Sequence, residues 1–136
     1  MSQKQLIRTL LVDDEAHIRL LMKTLLSTMG CEIVAEAGDG EQALVQFRAQ
    51  RPQVTLLDIN MPKMDGVATL EAIRAEFPDA FVIMLTSLTS MAMVERCLDL
   101  GAANYLRKDT PLEQMKQEIR ESWLDHLAQR QAAGTL

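Results

Sequence analysis

The sequence predicts an α/β fold: a doubly wound, five-stranded parallel sheet with five helices on its two faces. Three observations carry this. Short aliphatic runs alternate along the chain with longer segments whose apolar residues recur every three or four positions, and such alternation implies parallel strands joined by helical crossovers. The run Ala80–Leu85 (AFVIML) is wholly apolar, the mark of a strand covered on both faces. Several runs end abruptly in polar residues (Asp13-Asp14, Asp58, Thr86), at the carboxyl strand ends where open α/β sheets place their ligands.

Taken in order, Leu6–Val12 (LIRTLLV) reads as the first strand and runs into Asp13-Asp14-Glu15. Glu15–Met29 carries Ile18, Leu21, Met22, Leu25, Leu26 and Met29 on one helical face, and Gly30 stops it. Glu32–Ala37 alternates weakly, as a strand near an edge does. Asp39 with Gln42 three residues on fits a capping box for a helix that turns Ala43, Leu44 and Phe47 inward and ends before Pro52. Val54–Asp58 is the central strand. Pro62 and Asp65-Gly66 make the next stretch a loop, and the helix after it buries Val67, Leu70, Ile73 and Phe77.

After the strand Ala80–Leu85 and Thr86-Ser87, a short helix carries Met91, Val94, Cys97 and Leu98 and closes at Gly101. Asn104-Tyr105-Leu106 is a last strand, ending at Arg107-Lys108. Thr110-Pro111-Leu112-Glu113 combines a Thr N-cap, proline at the first helical position and glutamate at the third. The final helix uses Leu112, Met115, Ile119, Trp123 and Leu127. Right-handed crossovers leave few topologies. The flavodoxin-like order 2-1-3-4-5 makes the two acid-ended strands central neighbours and puts the ligand crevice between them.

Composition limits the function. The 136 residues suit one domain, expected over residues 1–130, with a short frayed tail at 131–136. Apolar residues make up 48% and charged residues 24%, a globular balance. The net charge of −5, with no basic patch, argues against direct nucleic-acid binding. No run has the length of a membrane span, and Met1–Gln5 has no signal-peptide architecture. A cytoplasmic protein is expected. Cys31 and Cys97 are too few for a disulfide framework and read as small hydrophobes. His17 and His126 lack partners at ligand spacing. The nine methionines read as core padding, not a cofactor box.

The strand ends carry the chemistry. Asp13, Asp14, Asp58, Thr86 and Lys108 come from four strands and converge on one sheet edge. Like charges about 4 Å apart repel by about 4 kcal/mol at an effective dielectric near 20, so such a cluster calls for a cation. Oxygen ligands suit Mg²⁺ or Mn²⁺, and the absence of nearby His or Cys argues against zinc. A hard ion with open positions invites a phosphoryl group. Asp58 can then act as nucleophile and form an aspartyl phosphate. Lys108 would neutralise charge in the transition state, Thr86 would give the attached group a hydroxyl hydrogen bond, and the small Ser87 keeps the approach open.

These residues resemble the receiver domains of two-component response regulators over nearly the whole chain. The carriers are the acidic pair in LLVDDE, the D-x-x-M-P-x-M-D-G stretch from Asp58 to Gly66, Thr86-Ser87, and Lys108 with Tyr105 three residues before it. Together they are highly specific. The resemblance implies a phosphorylation switch that catalyses only its own phosphorylation and slow dephosphorylation. A histidine kinase or histidine phosphotransfer protein would phosphorylate Asp58. Asp13, Asp14, Asp58 and the backbone carbonyl of Asn60 would hold Mg²⁺.

Thr86 and Tyr105 would form the switch, remodelling the face of the fourth helix, last strand and last helix for a downstream target protein or a phosphorylation-dependent dimer. The architecture resembles the stand-alone chemotaxis type. One feature departs: many receivers carry a cis Lys-Pro bond here, whereas Lys108 is followed by Asp109, with proline only at Pro111. A non-proline cis bond costs roughly 3–4 kcal/mol, so the resemblance does not fix the Lys108–Asp109 geometry.

Other readings compete. Asp14 and Asp65 could be helix caps, and Asp65 is assigned to capping. Lys108 alone would read as a solvated lysine, Tyr105 as core and Thr86 as a turn residue. Gly38-Asp39-Gly40-Glu41-Gln42-Ala43 formally matches the G-x-G-x-x-A dinucleotide fingerprint, but Asp39 and Glu41 put negative charge where a pyrophosphate would bind. An aspartyl-nucleophile phosphatase resembling the haloacid dehalogenase class wants an acid where Asn60 stands. A receiver-like scaffold without phosphorylation is the third alternative.

Overall fold

The computed structural model describes residues 5–87 and 90–134. Met1–Lys4, and Thr135 and Leu136 of the expected tail, lie outside the described residues. Strands and helices alternate as β1 (Ile7–Val12), α1 (Ala16–Ser27), β2 (Cys31–Ala37), α2 (Gly40–Gln50), β3 (Val54–Asp58), α3 (Gly66–Glu76), β4 (Val82–Thr86), α4 (Met91–Asp99), β5 (Asn104–Arg107) and α5 (Leu112–Ala132). All strand pairs are parallel, in the order β2-β1-β3-β4-β5. This is the expected order. It sets β1 beside β3 in the middle of the sheet, with Val12 opposite Leu57.

The two-residue period of the strands divides the core into two layers. Leu10, Val12, Leu57 and Met84 share a cluster with Ala43 and Phe47 of α2, Leu70 and Ile73 of α3, and Val94 and Cys97 of α4. Leu11, Leu56, Ile83 and Leu85 join Met22, Leu25 and Leu26 of α1 and Met115 and Ile119 of α5. β3 and β4 are buried along their whole length, which is why their sequences are continuous apolar runs instead of alternating ones. Each large side chain so buried stabilises the fold by roughly 1.5–3 kcal/mol.

Helix starts follow local chemistry where an Asx residue is available. Asp39 Oδ1 accepts from Gln42 N at 2.8 Å, and the return bond runs from Gly38 N to Gln42 Oε1 at 3.2 Å. Asp65 Oδ1 caps α3 by accepting from Ala68 N at 2.8 Å. Gly30 ends the turn after α1 at φ +78°, a left-handed conformation that costs glycine nothing.

Several expectations need correction. α5 starts one residue late: Pro111 O accepts from Met115 N at 2.9 Å, so Pro111 is the N-cap, with no side-chain cap bond. The expected Thr110 capping box is not formed. α5 runs to Ala132, so Gln131 and Ala132 belong to the helix and not to a tail. Leu21, Met91, Leu98 and Leu112 were expected on buried faces but are exposed. On α1 and α4 the outliers lie about 70–90° from the stripe's centre at 100° per residue, at the margin of the arc that faces the sheet; Leu112 sits in the first turn of α5. The strand expected at Ala80–Leu85 begins at Val82 and includes Thr86. Cys97 is buried but Cys31 only partly so, and both are free. No described peptide bond is cis, so Lys108–Asp109 is trans. Among the described residues no helix is long and apolar enough to cross a membrane.

Candidate functional site

The carboxyl ends of β1, β3, β4 and β5 build one site. Asp13 follows β1, its backbone held by a bond from Asp13 N to Ala37 O at 3.0 Å. Its Oδ1 accepts from Glu15 N at 2.9 Å, turning the chain into α1. Asp58 is the last residue of β3, and Ile59 N donates to Leu85 O at 2.9 Å, so the sheet grips the chain just past the carboxylate. Asp58 Oδ1 accepts from Asn60 N at 3.2 Å.

The loop after Asp58 folds back so tightly that Gly66 N donates to Ile59 O at 2.8 Å. A Cβ on Gly66 would stand 2.6 Å from Ile59 Cα, a distance that real Cβ atoms do not tolerate. The glycine of the Asp65-Gly66 pair is thus required by close approach as well as by turn formation. Lys63 in the same loop takes φ +64°. At β5, Lys108 N donates to Thr86 O at 2.8 Å, which fixes the lysine beside the end of β4.

Asp13 and Asp58 are buried and Asp14 is exposed. The three can offer carboxylate oxygens that lie within 4.8 Å of one another. Against them stands one ammonium. Lys108 Nζ lies 2.7 Å from Asp13 Oδ2, 3.3 Å from Asp58 Oδ2 and 3.4 Å from Glu15 Oε1. Burial drives the Asp58 carboxyl up to about 7, and the Asp13 charge adds to this; Lys108 and the Asn60 N–H pull the other way without winning. Burial lowers Lys108, but the carboxylates of Asp13 and Asp58 outweigh it and its ammonium is held above the ordinary lysine range.

Among the described residues, Asp13, Asp14, Asp58 and Glu15 face the Lys108 ammonium and the Arg19 guanidinium, which donates to the Asp13 backbone carbonyl, so carboxylates outnumber cations. The donors are all oxygen, two of the three residues are buried, and among the described residues no histidine or cysteine joins them. That chemistry fits a hard divalent ion such as Mg²⁺ and not zinc.

Thr86 is buried as the final residue of β4, one position beyond the partner of Asp58 in the β3–β4 register. Ser87 is exposed. Tyr105 lies opposite Met84 and packs, half-buried, on the core layer that contains Val94 and Cys97 of α4. Asn60 is half-buried, with its N–H turned to Asp58. Sequence reasoning gave no role to Glu15, which contacts Lys108 across 93 positions of sequence. The structure places Glu15 at the N-cap of α1 with no side-chain cap bond.

The dinucleotide reading fails on geometry. Asp39 occupies the α2 N-terminus with its own carboxylate. A Cβ on Gly40 would fall 2.7 Å from Met64 O, so this glycine serves packing against the loop before α3.

A family model for the response regulator receiver domain matches residues 9–120. The chain belongs to that family. A probable chemotaxis protein CheY of Rhizobium etli is 39% identical over 121 residues, covering 88% of this chain and 94% of that protein. A probable transcriptional regulator ycf27 of Guillardia theta is 42% identical over 83% of this receiver, which spans 44% of that regulator's length. Among solved structures, a CheX-CheY-BeF3-Mg²⁺ complex from Borrelia burgdorferi aligns with TM-score 0.82 and 28% identity, over 86% of this chain and 89% of that one. The receiver fold and the CheY-type family are therefore shared.

Proposed function

We propose that this receiver is a phosphorylation-controlled switch in which Asp58 takes a phosphoryl group from a phosphohistidine on a histidine kinase or phosphotransfer protein. The observation that carries the reading is the carboxylate cluster of Asp13, Asp14 and Asp58 with the Lys108 ammonium paired to Asp13 and Asp58. A carboxylate of Asp58 attacks phosphorus, a P–O bond forms, the P–N bond to the donor imidazole breaks, and the imidazole nitrogen takes a proton. Lys108 neutralises charge on the transferring oxygens, and the Thr86 hydroxyl hydrogen-bonds to the attached group. Water later cleaves the acyl phosphate and returns inorganic phosphate.

Asp13, Asp14, Asp58 and the backbone carbonyl of Asn60 would hold Mg²⁺, with Mn²⁺ as a substitute. When bound, this cation neutralises the acidic cluster and the phosphoryl oxygens. The chemistry of the Borrelia burgdorferi complex, which combines a CheY with BeF3, Mg²⁺ and CheX, supports the same reading here. The output is a downstream protein bound at α4, β5 and α5, inside the cytoplasm.

Intact mass after incubation with acetyl phosphate tests the chemistry. One added phosphoryl group is expected, dependent on Mg²⁺ and absent in Asp58→Asn. If acetyl phosphate and a phosphorylated histidine donor protein both leave the mass unchanged, the protein is a scaffold and the proposal fails.

A further inference from the structure

A lysine ammonium has three hydrogens to donate. Lys108 faces three carboxylates, those of Asp13, Asp58 and Glu15, within 3.4 Å. Among the described residues only Glu15 accepts a hydrogen bond from the ammonium; Asp13 Oδ2 and Asp58 Oδ2 are ion-pair contacts, and Asp13 Oδ2 takes no hydrogen bond. A phosphoryl oxygen on Asp58 that draws a hydrogen bond from Lys108 therefore competes first with Glu15. Asp13 and Asp58 are almost fully buried, whereas the Glu15 side chain is 45% exposed and the most distant of the three. Glu15 is therefore the one that can leave at least cost.

Two further observations fit. Glu15 stands at the N-cap of α1, yet makes no side-chain cap bond; its side chain turns instead to Lys108, just past the end of β5. Its second oxygen lies 3.5 Å from Nε2 of the exposed His17, so a displaced Glu15 has a neighbour waiting on the solvent side. A local preference given up for a distant contact is the pattern expected at a functional position.

We infer that Glu15 is a positioning residue, a displaceable placeholder that occupies Lys108 until a phosphoryl group takes its place. The inference rests on the phosphoryl transfer proposed above. Glu15 touches neither donor nor phosphoryl group; it acts through Lys108 by setting how readily the ammonium becomes available.

The test compares the full-length wild type with Glu15→Gln and Glu15→Asp in two measurements. The first is the rate of Asp58 phosphorylation against acetyl phosphate concentration, with Mg²⁺. The second is acetylation of Lys108 by sulfosuccinimidyl acetate in metal-free protein, read by peptide mass. Glu15→Gln keeps shape but removes charge, so it should raise both the phosphorylation efficiency and Lys108 labelling by roughly two- to fivefold, what an ion pair half open to solvent carries. Aspartate is a better N-cap and a shorter reach. Glu15→Asp should therefore raise the melting temperature by a few degrees yet still free Lys108, which a purely structural role for Glu15 would not produce.

The gain should persist between about 0.1 M and about 0.5 M salt, because a contact is screened far less than a long-range field. A gain that vanishes in high salt, unchanged Lys108 labelling, or slower phosphorylation in Glu15→Gln would each overturn the placeholder role. If the wild type itself accepts no phosphoryl group, the function proposed above fails and the placeholder fails with it. If the wild type is phosphorylated but Glu15→Gln is no faster, only the placeholder fails.

Discussion

Asp58 is a carboxyl group folded into a place that opposes its charge. Burial and the neighbouring Asp13 raise it from 3.8 to about 7, although Lys108 lies 3.3 Å away. The cost to folding follows from linkage. Below about pH 4 the group is protonated in both states and contributes nothing. Between about 4 and 7 the unfolded chain releases a proton that the folded chain retains, so stability falls as pH rises through this window. Above it the full penalty applies, about 4 kcal/mol for a shift of this size. Asp58→Asn removes that penalty but also a partner of Lys108, leaving a net gain of roughly 1–3 kcal/mol. In EDTA the variant should melt roughly 5 °C above wild type near pH 8, with the gap closing toward about pH 4; adding Mg²⁺ should stabilise the wild type preferentially. Equal gaps at both pH values would remove the electrostatic account. Asp13, Asp14, Asp58 and Lys108 were legible in sequence because each ends an apolar run. The Glu15 contact was not, because its partner is a lysine 93 residues away.

At the scale of elements, helix starts separate two kinds of sequence signal. Asp39 and Asp65 show the expected cap bonds, since an Asx side chain reaches the N–H groups of its own first turn with no help from the rest of the fold. The Thr110 box looked equally good on paper. It fails because α5 begins with Pro111 as its N-cap, in an extended conformation with ψ 141°, which moves the first turn one residue beyond the reach of the threonine. The two sites should respond differently to truncation. Asp39→Ala is expected to cost about 1 kcal/mol or somewhat more, because Asp39 is also buried. Thr110→Ala should stay within about 0.5 kcal/mol of wild type. Urea unfolding midpoints at constant m-value would measure both, and comparable losses would show that Thr110 is a cap after all. Element identity and order were readable throughout from periodicity. The inward extent of each helical stripe was not: Leu21, Met91 and Leu98 continue the pattern but end up exposed, because only part of each helix's circumference can face the sheet.

At the scale of the whole molecule, the strand order decides what can communicate with what. The carboxylates gather between β1 and β3, while Thr86 closes β4 and Tyr105 lies on β5 at the sheet's far edge. Lys108 N bonds to Thr86 O at 2.8 Å, which ties the ends of β4 and β5 together. Tyr105 is half-buried on the core layer that anchors α4 through Val94 and Cys97. On the proposed function, a rearrangement at Thr86 would reach α4 along the β4–β5 pair and through the tyrosine ring, which packs on the layer that α4 shares. A two-state element biased from one end is what a switch of this kind requires. If Tyr105 is that link, beryllofluoride with Mg²⁺, used as a phosphoryl mimic, should alter amide hydrogen exchange in α4 and β5 of the wild type. In Tyr105→Ala the change in α4 should be lost while Asp58 still takes up a phosphoryl group from acetyl phosphate at a normal rate. The two readouts separate coupling from chemistry. A variant that keeps the α4 response would show that the signal reaches the helix without passing through the tyrosine, leaving the β4–α4 connection as its route.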